Sequence, residues 1–259
     1  MSEHGQGILG TLAVLALLLL GWEAAVWFFQ PPAILLPAPS AIAADLASTP
    51  AYYLRNAGFT LWTTLAGFGL SVVLGVALAV AITSSRILDR LITTVLVVLN
   101  SLPKVALAPL FVIWMGTGAE PKIAIAVMLA IFSIVADVAL GLRSVDPDAV
   151  ALARVHRASA WRILWKVRFP NALPALFVGM KVAISFALVG AIVGEFVGGS
   201  AGLGHVILIA QGQFDTVRVF AALVVLGVIG TLLFYLVEAA ERLALPWHVS
   251  QRHSGGGQR

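Results

Sequence analysis

Between Arg55 and Arg86 the chain carries no charged side chain. That apolar run exceeds the roughly 20 residues an α-helix needs to cross about 30 Å of hydrocarbon. In lipid the backbone must satisfy its own N–H and C=O groups, and a helix does so within one segment. The same test along the chain predicts six spans: about Ile8 to Phe29, Thr60 to Thr83, Leu88 to Trp114, Lys122 to Leu142, Pro174 to Gly194 and Val219 to Val237. Composition agrees, since 60% hydrophobic and 11% charged residues, with a mean hydropathy of +1.00, cannot be hidden in a soluble core of this size. The expected fold class is an all-α integral membrane protein. The chain has no cysteine, so disulfides, thiolate metal sites and cysteine nucleophiles are excluded and the redox compartment stays undetermined.

The spans differ in character. The first has no Lys or Arg before it and no small-x-small pattern after it, and it continues through Trp22 and Trp27, so it reads as a retained helix rather than a cleaved signal. Gly67, Gly69, Ser71 and Gly75 give the second a small-residue face for close helix contact. The third is interrupted by Asn100, Ser101, Pro103 and Lys104, and again by Pro109. A break at that depth is tolerated where it faces protein or water, so this span is expected to line something. Pro31, Pro32, Pro37 and Pro39 predict a stiff, extended first outer loop.

Sidedness follows from the basic residues. With both termini cytoplasmic, the inner side receives Arg86, Arg90, Arg143, Arg154, Arg157, Arg162, Lys166, Arg168, Arg242, Arg252 and Arg259, and the outer side Arg55, Lys122 and Arg218. That asymmetry obeys the positive-inside rule. It also accounts for the pI of about 9.9 without nucleic acid, because the basic residues sit in short loops between apolar spans. Three regions result: 1–54, a helix and outer loop; 55–245, the transmembrane domain; and 246–259, a tail whose Ser-Gly-Gly-Gly run predicts disorder.

Residues 143–173 form the one polar interruption built to touch a partner. Short helices are expected over Ala149–Val155 and Ala160–Val167, joined near Arg157, Ala158 and Ser159, with Ser159 as N-cap of the second. Trp161, Ile163, Leu164 and Trp165 lie amid Arg162, Lys166 and Arg168. The residues alone support two readings, an amphipathic segment at the headgroup level and a docking helix seated in a groove of another protein.

Ala153-Arg154, Ala158-Ser159 and Pro170 to Pro174 resemble the EAA loop of binding-protein-dependent ABC importer permeases. The segments PKVALAPLFVIWMGTG at 103–118, GLRSVDPD at 141–148 and VGAIVGEFVGGSAGLGHVI at 189–207 resemble the nitrate, sulfonate, taurine and bicarbonate branch of that family. The likeness spans roughly residues 55–240. It implies a type I (MetI-like) transmembrane fold and a coupling role for Ala151, Ala153, Arg154, Arg157, Ala158, Ser159, Trp161, Arg162, Lys166 and Pro170. Two positions depart from the pattern: Ala151 stands where the family has Glu, and Arg157 where it has Gly. Because Gly bends a chain at little steric cost, Arg157 demands either a φ below zero or a strained turn.

The sequence holds no G-x-x-x-x-G-K-[ST] loop and no Gly-Lys pair, so this chain is not expected to be the ATPase. The implied assembly is a homodimer with an ATP-binding cassette ATPase dimer, which holds ATP and Mg, and a periplasmic solute-binding protein, in a bacterial inner membrane; no cofactor or metal is expected in this chain. The implied function is import of a small anionic solute such as nitrate, taurine or another sulfonate. Asn100, Ser101, Pro103, Lys104 and Glu195 are the candidate pathway residues. A cation at Lys104 would attract an anion, unless the span ends early and leaves it at the surface. Glu195, beside Gly194, Gly198, Gly199, Gly202 and Gly204, reads either as a gate or as a carboxylate satisfied by loop N–H groups, in a loop and short helix at the outer side. Asp137 is expected to pair with Arg143 or to be solvated, and Lys181 to snorkel inward. His156 and His205 are isolated. A secondary transporter, a membrane enzyme and an uncoupled scaffold subunit remain as alternatives.

Overall fold

The computed structural model describes residues 3–246, so the predicted tail lies, from residue 247 onward, outside the described residues. Its helices are α1 (Glu3–Phe29), α2 (Pro39–Ser48), α3 (Pro50–Ser84), α4 (Arg86–Ser101), α5 (Ala108–Met115), α6 (Glu120–Arg143), α7 (Pro147–Val155), α8 (Ala160–Ile163), α9 (Phe169–Gly198), α10 (Leu203–Gly212) and α11 (Thr216–Ala244). A 3₁₀ turn, Lys104–Leu107, precedes α5, and a π turn, Leu164–Arg168, joins α8 to α9. No strand occurs among the described residues.

Among the described residues four rods are long and apolar enough to cross a membrane: Pro50–Ser84, Glu120–Arg143, Ala160–Gly198 and Thr216–Ala244. The expected third span is a broken one, α4 and Lys104–Met115 meeting at 86°. Pro103 and Pro109 supply the break, since neither ring can donate the ladder bond a straight helix would require. The expected first span is α1, apolar over Ala13–Phe29.

The core is α6 packed along α9 with α3 laid across both. Lipid gives helices no hydrophobic reason to associate, so cohesion comes from close van der Waals approach through small residues. Thr60, Thr63, Thr64, Gly67, Ser71, Gly75 and Ala79 form a buried stripe down α3. A Cβ on Gly75 would lie 2.6 Å from Ile134, and one on Gly67 would meet Ala126. Gly69 departs from the predicted face: nothing lies within 4 Å of its would-be Cβ. It is two residues out of the four-residue spacing, about half a turn around the helix. Along α9, Gly190 abuts Ala126 and Gly194 abuts Lys122.

Three boundaries differ from expectation. The first outer loop is non-helical only up to Ala38, because Pro39 opens α2, where its fixed φ suits a first turn. The α3 helix begins at Pro50, well before Thr60. Pro170 and Pro174 do not end a loop; Ala160–Gly198 is one 39-residue rod. Pro170 falls in the first turn of α9, directly after the π turn, in which Phe169 N–H reaches back to Leu164 O. A π turn shifts the ladder by one residue, which accommodates the donor that proline lacks.

Candidate functional site

The polar interruption folds as an elbow. Asp146 caps α7, its side chain accepting from Asp148 N at 2.8 Å, and Pro147 fills the first helical position. Val150 faces inward, whereas Leu152 and Val155 are exposed. As predicted, Ser159 caps the next helix, its Oγ accepting from Arg162 N at 3.3 Å. Ile163 and Leu164 are buried, and Trp161, Trp165 and Phe169 make an aromatic ladder with centroids 5.4 and 4.8 Å apart. Trp161 is 67% exposed. The elbow therefore presents two tryptophans, Leu152 and Val155 outward, among Arg154, Arg157, Arg162 and Lys166, all exposed. Two contacts anchor it: Asn171 Nδ2 donates to Ser144 Oγ at 3.1 Å, and Arg143 pairs with Asp89 of α4 at 2.8 Å. Arg143 is therefore not the partner of Asp137, which instead lies against Gly179 of α9.

The turn between α7 and α8 resolves the question posed by Arg157. Its φ is +54°, the left-handed conformation. Ala158 N–H donates to Ala153 O at 3.0 Å and Arg157 N–H to Arg154 O at 2.8 Å, the paired bonds of a Schellman C-cap with Arg157 at the position glycine usually takes. The geometry of a glycine turn is kept although the glycine is absent.

At the opposite end of the bundle, polar groups converge on Glu195. The carboxylate is fully buried; it accepts from Thr60 Oγ1 at 2.8 Å and from Gly204 N–H at 2.7 Å. Thr60 Oγ1 in turn accepts from Leu203 N–H at 2.9 Å, and Asn56 Oδ1 from Gly202 N–H at 3.0 Å. A carboxylate and two α3 side chains thus satisfy the first N–H groups of α10, where negative charge is favoured. Gly202 has φ +104°, and a Cβ there would collide with the Glu195 carboxylate, so only glycine fits. Lys122, counted above as an outer surface cation, is fully buried instead. Its Nζ donates to Thr117 O at 2.6 Å and to Gly198 O at 2.9 Å, closing the end of α9. The network holds α3, α6, α9 and α10 together; two of its members, Asn56 and Thr60, are not among the candidates the sequence offered, and Lys122 was expected only as an outer cation. The available signal was an Asn and a Thr one turn apart in an apolar helix.

Lys104 stands at the 86° bend. It is half-buried, donates to Asn100 Oδ1 at 2.7 Å and lies 5.7 Å from the centroid of Phe132. Ser101 and Pro103 are exposed beside it. Elbow, bend and Glu195 network are three separate places in the bundle. Lys181 pairs with Glu241, in the last turn of α11, at 2.5 Å, so its charge is neutralised locally. Among the described residues no group of three His, Asp or Glu side chains converges in metal-ligating geometry.

The sequence profile of the binding-protein-dependent transport system inner membrane component family matches residues 71–244, from the middle of α3 to the last residue of α11. The chain belongs to that family. As a permease of this family it is 34% identical to the riboflavin transport system permease protein of Chloroflexus aurantiacus, over 93% of this chain and 91% of that one. It is 29% identical to the taurine transport system permease protein of Escherichia coli, over 93% and 89% of the two chains. In solved structures the fold recurs in the MetNI methionine ABC transporter, with TM-score 0.68 and 20% identity over 76% of this chain and 97% of that chain. The permease accordingly has the type I importer fold. The family match takes in the elbow, the bend and Glu195, and begins beyond Asn56 and Thr60.

Proposed function

We propose that this permease moves a small anionic solute by alternating access, as a two-fold dimer of the chain seated on an ATPase dimer and loaded by a periplasmic solute-binding protein. Both termini then lie in the cytoplasm, and ATP and Mg are held by the partner subunits. The observation that carries the proposal is the elbow. A capped, anchored helix pair exposes Trp161, Trp165, Leu152 and Val155 within a ring of Arg and Lys, the pattern of a helix that enters an apolar groove with a polar rim. Its second helix is continuous with a 39-residue rod, so a displacement of the elbow by the ATPase is carried rigidly to the far end of the bundle. Ala151, Ala153, Arg154, Arg157, Ala158, Ser159, Trp161, Arg162, Lys166 and Pro170 are assigned to this coupling surface. Lys104, with Asn100, Ser101 and Pro103 at the bend, is assigned to the pathway as its solute-facing cation. Glu195, buried and satisfied, is assigned as a staple rather than a pathway residue.

The relatives' names span riboflavin, an uncharged heteroaromatic ring system, and taurine, a zwitterionic aminosulfonate, so the anionic character assigned to the solute rests on Lys104 at the bend and not on the relatives. The test is reconstitution with the cognate ATPase and binding protein in vesicles. Binding-protein-stimulated ATP hydrolysis is expected, and Arg162→Glu with Lys166→Glu should lower ATPase co-purification at least tenfold while leaving membrane insertion intact. Undiminished complex in the double variant would remove the elbow from the docking surface.

A further inference from the structure

A cleft of about 470 Å³ opens between the elbow and the end of α3. Thr83 and Ser84 line it from the last turn of α3, Arg154 from α7, and Trp161, Leu164 and Arg168 from the rod. Its wall carries two guanidiniums and no carboxylate. Among the described residues neither Arg154 nor Arg168 has an acidic partner within ion-pair distance. Asp89, on the neighbouring helix, is already committed to Arg143. Two like charges around one solvent-accessible space repel each other, and an anion between them relieves that repulsion. The hydroxyl protons are spent elsewhere, Thr83 Oγ1 donating to Ala79 O at 3.0 Å and Ser84 Oγ to Val80 O at 2.6 Å. Donation into the cleft therefore falls to the guanidiniums, whose planar forks match the paired oxygens of a phosphate group.

Position narrows the ligand further. The α3 helix is a membrane-crossing rod that ends at Ser84, so the cleft sits at the level where a bilayer presents its headgroups. A basic pocket between helices at that level is suited to an anionic headgroup. We infer that this cleft is a binding site for a phosphate-bearing anion held between Arg154 and Arg168, drawn from an anionic phospholipid or from a soluble phosphate ester. Occupied, it ties α3, α7 and the rod together at one point beneath the elbow. The inference stands independently of the coupling role, because it needs only the two unpaired arginines and the end of the span.

Native mass spectrometry of the full chain in detergent tests it, with phosphatidylglycerol and phosphatidylcholine of the same acyl chains titrated separately. Phosphatidylglycerol should be retained about tenfold more tightly. Arg168→Gln should abolish that preference, Arg168→Lys, which keeps the charge but loses the fork, should keep only part of it, and Arg90→Gln, an exposed arginine outside the cleft, should leave it unchanged. Ser84→Asp, which places a carboxylate at the exposed rim, is the second variant and should also abolish it. Inorganic phosphate added as competitor separates the sources: displacement of the lipid means the phosphate group suffices, and persistence means the lipid headgroup is the ligand. Equal retention of the two lipids, or a preference that survives both Arg168→Gln and Ser84→Asp, would overturn the site.

Discussion

At the scale of single residues, Arg157 marks the sharpest conflict between local preference and fold. A side chain in the left-handed region crowds its own backbone, at a cost of about 1 kcal/mol or more relative to glycine. The turn is kept because the two Schellman bonds and the caps on either side over-determine it. Arg157→Gly is therefore expected to stabilise the purified protein by about 1 kcal/mol, read by thermal unfolding, and to preserve or raise binding-protein-stimulated ATP hydrolysis. A sharp fall in coupling would mean that the guanidinium has a contact on the ATPase. Lys104 belongs to the same scale. Lys104→Met keeps the bulk and removes the charge, and the expected result is weaker transport of an anionic solute with an unchanged assembly. Unaltered affinity and rate would take Lys104 out of the pathway.

At the scale of elements, what matters is how closely two helix backbones can approach. Gly190 and Gly69 are both glycines in apolar helices, and hydropathy gives them the same weight. A Cβ on Gly190 would lie 2.6 Å from Ala126 Cα and 2.8 Å from its N, whereas nothing lies within 4 Å of one on Gly69. Backbone cannot give way as a flexible side chain can. Gly190→Ala is thus expected to pry α6 from α9 and to destabilise the bundle by about 1–3 kcal/mol. Gly69→Ala should be neutral or stabilising by up to about 1 kcal/mol. Thermal unfolding in one detergent compares the pair directly, and equal effects would refute the packing assignment. The rod Ala160–Gly198 carries the second lesson at this scale. Two prolines read as the end of a loop, yet a π turn absorbs the first and the helix runs on.

At the scale of the whole molecule, the two polar ends differ in kind. The elbow end is basic, exposed and aromatic, and the far end is stapled shut by buried groups. The chain's lack of cysteine makes sidedness directly measurable. Val155→Cys at the elbow should react with a membrane-impermeant maleimide only in inside-out vesicles. Phe214→Cys, between α10 and α11, should react in intact spheroplasts. The reverse labelling would invert the topology and with it the assignment of the elbow to the ATPase side.

By itself the sequence determined the class of the molecule, because hydropathy and the positive-inside bias depend on composition along the chain and need no partner residues. It likewise determined where the polar elbow lies, that Ser159 caps a helix, and that the third span is broken, since caps and prolines act over a few neighbouring positions. Tertiary structure alone decided that Lys122 is buried against Gly198 and that Asn56 and Thr60 serve the start of α10. Those facts join positions as far apart as Thr60 and Glu195. A linear reading lists both polar groups, but the helix packing that brings them within hydrogen-bond distance depends on contacts distributed over the whole bundle.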